Sequence, residues 1–80
     1  MPAPDHLALV LKFVAALQDV SRRNPASWRR ISAIGARTGI KGAELEQVVA
    51  DAIAVGLVDR RVEDPELISL TPRGWTITRR

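Results

Sequence analysis

Apolar positions fall into two long helical rhythms and one short one, and then the pattern changes. Over residues 5–23, Leu7, Val10, Leu11, Val14 and Leu17 recur at spacings of three and four, which puts them on one helix face. Leu9, Phe13, Ala16 and Val20 form a second stripe beside the first. Together they make a wider apolar face than packing on one neighbour needs. Two readings follow. In one, a central helix is touched from two sides, as small helical domains often arrange their first helix. In the other, part of the face, including Leu9 and Phe13, meets a second copy of the chain. The first is favoured. Asp5 suits the start of this helix, Arg22 and Arg23 suit its end, and Asn24-Pro25 stops it.

A short second helix is predicted from residue 29 or 31 to residue 38, with Ile31, Ile34 and Ala36 at helical spacing. Gly39 supplies the positive φ that ends it, and Gly35 leaves room where two helices approach. Ser27 is a candidate cap. Trp28, before this helix, is read as a core anchor against the first helix. A base-stacking platform would need neighbouring aromatics, which are absent. The third helix, residues 42–55, carries Leu45, Val48, Val49, Ala52 and Ile53 as one stripe.

After Gly56 the rhythm becomes that of strands. Residues 57–62 and 67–71 are strand candidates around the polar turn Glu63-Asp64-Pro65-Glu66. Pairing Val62 with Leu67 would set Arg60 opposite Ser69, although so short a ribbon fixes its register weakly. Thr71-Pro72 reads as an N-cap followed by proline at the first helical position. Residues 71–80 then form a short helix or an extended tail, since Thr76, Ile77 and Thr78 are poor helix formers.

Eighty residues make one domain, residues 1–80, and 46% hydrophobic content is ample for a core. With no cysteine and one histidine, neither a disulfide framework nor the usual structural zinc site is expected. No cofactor or metal is implied. The first apolar run contains Lys12 and lacks a basic leader, so neither a membrane span nor a signal peptide is expected; the expectation is a cytoplasmic protein. Net charge is only +3, but its distribution is uneven. Residues 20–43 hold Arg22, Arg23, Arg29, Arg30, Arg37 and Lys41 without an acid, and residues 44–66 hold seven acids against Arg60 and Arg61.

The spacing Gly35, Gly39, Leu45, Val48, then Val55-Gly56-Leu57-Val58 and Leu70-Thr71-Pro72-Arg73-Gly74, resembles the winged helix-turn-helix domains of bacterial transcription regulators. The resemblance spans most of the chain. It implies a mainly α fold with a small β-hairpin (α+β): a three-helix core, a two-stranded antiparallel wing and a short closing helix or tail. It also implies a third helix in the major groove of double-stranded DNA, with Lys41, Ala43, Glu44, Glu46 and Gln47 at the base edges. Phosphate contacts would fall to Ser27, Arg29, Arg30, Arg37, Arg60 and Arg61.

Glu44, Glu46 and the acidic wing tip run against that docking, so a second function is carried alongside it. That is a winged-helix interaction module whose acidic third helix and wing meet a protein partner. A small reading head would act as a homodimer. An enzyme is not expected: His6 reads as an exposed helix-end residue, and no phosphate loop or paired carboxylates are visible.

Overall fold

The computed structural model describes residues 4–24 and 27–77. The leading residues 1–3, the Asp5 side chain expected to cap the first helix, Pro25-Ala26 and the last three residues lie outside the described residues. The order is α1 (Pro4–Ser21), β1 (Arg29–Arg30), α2 (Ile31–Thr38), α3 (Gly42–Ala54), β2 (Val58–Arg60), β3 (Leu67–Leu70) and α4 (Pro72–Ile77). The fold is mostly helical with a small antiparallel sheet.

Helix α1 packs against α2, α3 and β3, so its wide apolar face is explained by several neighbours. Its core line is Val10, Phe13, Val14 and Leu17, all buried, with Leu9, Ala16 and Val20 half-buried beside them. Phe13 therefore belongs to the interior, and Leu9 packs half-buried against the same core. Leu7 and Leu11, placed in the first stripe, point outward. Ile31, Ile34, Ile40, Val48, Val49, Ala52, Leu57, Val58, Ile68 and Leu70 complete the core.

Helix α2 ends as its sequence requires: Gly39 sits at φ 77°, and its N–H donates to Gly35 O at 2.8 Å. A Cβ on Gly35 would lie 2.8 Å from both Ile40 O and Leu45 Cδ2, so the close approach expected there is real. The start of α2 differs from expectation. Arg30, not Ser27, is its N-cap residue and makes no side-chain cap. The free N–H groups are met from across the chain instead. Ile31 N donates to Glu66 O at 2.8 Å, and Ser32 N donates to the Glu66 carboxylate at 3.0 Å. An acid read as an exposed wing tip thus caps a helix.

The sheet has three strands, not two, in the order β1-β3-β2. Strand β1 was not foreseen, because two residues cannot display an alternation. The hairpin is also slipped by one residue from the expected pairing: Arg60 lies opposite Ile68, and Asp59 opposite Ser69. Residues directly opposite each other share a sheet face. Ile68 is fully buried, so its partners Arg29 and Arg60 face inward with it. Arg30 and Leu67 point the other way.

Helix α4 closes the domain. The Thr71 hydroxyl accepts from Gly74 N at 3.0 Å, which is the expected cap, and Thr71 N donates to Leu57 O at 3.1 Å. A turn of helix forms through Ile77 despite its β-branched residues, because the cap and the half-buried Trp75 hold it on the core.

Candidate nucleic-acid interface

The inner side of α3 is fixed by Val48, Val49 and Ala52. Its geometry leaves Ala43, Glu44, Glu46 and Gln47 exposed, with Lys41 exposed at the N-cap. The five residues expected at base edges are therefore all exposed, with Ala43 and Gln47 on the outermost line of α3 and Glu44 and Glu46 on its opposite flanks. Gln47 donates to Asp51 Oδ1 at 3.1 Å, one turn further along. Asp51 also binds the His6 imidazole, so His6 ties α1 to α3 and is not the exposed helix-end residue expected.

The cationic set is divided. Arg29, Arg30 and Arg37 line one cleft of about 430 Å3, together with Trp28. Arg29 is nonetheless drawn inward by its register. Its guanidinium donates to Val20 O at 2.7 Å near the end of α1, and its Nε is buried without a hydrogen-bond partner among the described residues. Arg60 is likewise inward, with a buried Nε and its outer nitrogen 3.9 Å from Glu46 of α3. Both act chiefly as apolar stems carrying an anchored charge. Ser27 Oγ is buried and unpartnered among the described residues, so it offers no exposed hydroxyl.

Arg30 is exposed and makes no ion pair among the described residues. Arg37 is exposed and bound to Asp19 of α1. Arg61 lies 3.4 Å from Glu63, and its guanidinium sits 5.6 Å from the centre of the Trp28 ring. Exposed pairs of this kind contribute little stability and give way readily to a competing anion.

Trp28 is the main correction to the sequence reading. It is 37% exposed, not a core anchor. Residues on either side of a strand position face opposite ways. Burying Arg29 toward α1 therefore turns its neighbour outward. The missed signal is the Arg61 stem two strands away, which only the sheet order brings onto the indole.

The acids are also divided. Asp64 Oδ1 accepts from Glu66 N at 3.1 Å and Glu66 caps α2, so two of the three acids in the turn are structural. Glu44 stays exposed without an ion pair among the described residues, and Glu46 reaches only Arg60. No helix among the described residues is long and apolar enough to cross a membrane, and no group of three potential metal ligands is found among them.

The fold and this surface define a small α+β domain with one open helix face and one arginine-lined cleft. Compared with known proteins, the chain matches no family model, no curated protein and no solved structure.

Proposed function

We propose that the chain is a winged helix-turn-helix domain that binds double-stranded DNA, with α3 as its reading helix. One observation carries the reading: the outer side of α3 from Ala43 to Gln47 is open along its whole length, while its inner side is locked into the core. The element order supports it, with β3 central between β1 and β2 and the β2–β3 turn as the wing. Lys41 and Gln47 supply hydrogen-bond donors for phosphate, guanine or adenine. Affinity comes from Arg30, Arg37, Lys41 and Arg61, whose charges reach solvent.

Those four cations set a magnitude. At about 0.9 per neutralised phosphate, log K against log salt falls with a slope of about −3.6, a loss of about 150-fold between about 50 and 200 mM salt. Had Arg29 and Arg60 also engaged, the slope would approach about −5.4. Fluorescence anisotropy on a mixed-sequence duplex measures it. A slope near zero, or no binding at the lower salt, removes the reading.

A specific observation favours a second function. Helix α3 contains Glu44, Glu46 and Asp51 and no basic residue between Gly42 and Ala54. An acidic helix suits a basic protein partner, with the chain as an interaction module. The double change Glu44→Lys with Glu46→Lys separates the two. Stronger duplex binding supports the DNA reading. Loss of a basic protein partner, with duplex binding unchanged, supports the module.

A further inference from the structure

We propose that the groove between α1, the end of α3 and α4 binds a small organic acid, its apolar body on the groove walls and its carboxylate on Arg73. The inference is separate from DNA binding and stands without it.

The walls are the first observation. A groove of about 680 Å3 runs between the three helices, within the range of about 300–1,000 Å3 typical of small-molecule sites. Leu7 and Leu11 of α1, Val55 at the C-cap of α3 and Ile77 of α4 line it. Leu7 is 55% exposed, Val55 51% and Ile77 48%. Val10 and Leu57, both buried, reach the groove from the core. Scattered exposed apolar residues need no explanation, whereas a set gathered around one cavity marks a contact site.

The polar groups of the groove select the ligand. They are His6, Gln47, Asp51 and Arg73. Both carboxylate oxygens of Asp51 are engaged within the chain. Oδ1 accepts from Gln47 at 3.1 Å, and Oδ2 meets the His6 imidazole. Asp51 is thus already occupied and offers little to a cationic ligand.

Arg73 is different. It is exposed and makes no ion pair among the described residues. Its stem lies along the turn that follows α3, with Cδ 3.8 Å from where a Cβ on Gly56 would stand. The charge therefore stands beside the segment from Val55 to Leu57, at the edge of the apolar walls. The charge open to a ligand is positive. A guanidinium takes a carboxylate through two parallel hydrogen bonds, and apolar surroundings strengthen that pair. A bare inorganic anion would leave the walls wet, and a neutral hydrocarbon would leave Arg73 unused. A membrane surface recruits several cations together with an apolar face, and the groove presents one.

Titration calorimetry and amide chemical shifts of the full chain with decanoate, below its micellar range, test this. Decanoate is expected to bind at one site and to shift the amides of residues 7–11, 54–57 and 73–77. Each buried methylene changes affinity about fourfold, so octanoate is expected to bind about 15-fold more weakly. Decyltrimethylammonium carries the same tail and the opposite charge, and is expected to bind at least about tenfold more weakly than decanoate. Arg73→Gln is expected to lower decanoate affinity about tenfold or more. It should leave decyltrimethylammonium binding no weaker and circular-dichroism melting near that of the wild type. Val55→Glu, also at an exposed position, puts an acid in the wall and is expected to weaken decanoate binding. The proposal is overturned by an absence of saturable decanoate binding, by shifts confined to other surfaces, by equal affinity for the two headgroups, or by an Arg73→Gln variant that binds decanoate as the wild type does. Binding to anionic vesicles without binding of the free acid assigns the groove to a lipid surface and overturns it too. Self-association that closes the groove to decanoate assigns it to a second copy, with the same consequence.

Discussion

Glu66→Ala isolates the contact by which the β2–β3 turn holds the start of α2. The wild-type carboxylate accepts from Ser32 N at 3.0 Å, and α2 has no side-chain cap of its own. Removing the acceptor costs about 1 kcal/mol, as for other N-caps. Removing a negative charge from that end of the helix dipole costs about 0.5 kcal/mol more. A domain of this size loses about 4–8 °C of melting temperature per kcal/mol. Glu66→Ala should therefore melt about 6–12 °C below the wild type. Glu66→Gln keeps the oxygen acceptor and loses only the charge, so it should fall about 2–4 °C. The backbone bonds from Ile31 N to Glu66 O and from Glu66 N to Asp64 Oδ1 persist in both variants, so the difference reports the side chain alone. Thermal and urea denaturation of the three proteins measure it. If the alanine and glutamine variants are equally stable, the carboxylate is an ordinary surface charge and the capping assignment is wrong.

Phe13→Ala removes a fully buried ring from the centre of α1 and should cost about 3–5 kcal/mol, enough to leave much of so small a domain unfolded in a urea titration. Gly74→Ala places a Cβ 2.0 Å from Leu57 O, so α4 must shift, and denaturation should show a loss of about 3 kcal/mol. In duplex binding, Arg30→Ala and Arg61→Ala should each lower the salt slope by about one unit, whereas the inward-facing Arg60→Ala should leave it unchanged; equal effects from all three would refute the assigned facing.

Helices α1, α2 and α3 were legible because each repeats its apolar period over two turns or more, whereas the six-residue α4 was marked only by its Thr71-Pro72 start. Val48, Val49 and Ala52 announce α3 regardless of what packs on them. The sheet was less legible. A three-residue strand buries one or two side chains, and Arg60-Arg61 offers two equivalent charges where alternation should decide the facing. Register is fixed instead by the burial of Ile68, a tertiary fact. Strand β1 reads as Arg-Arg and is a strand only because β3 lies beside it. The site follows the same division. The outward face of α3 was visible in the helical period. Which arginines reach solvent depended on a one-residue slip that the sequence does not encode locally.

Strand β3 lies at the centre of the sheet yet comes last of the three strands along the chain. Neither β1 nor β2 bonds to the other, so a nascent chain ending before Glu66 holds two strands without a ladder and an α2 without its Glu66 cap. Closure must wait for a segment some 37 positions beyond β1. Helices α1, α2 and α3 are therefore all synthesised before the sheet can form, and a truncated product lacking the last fifteen residues is an expected target for proteolysis.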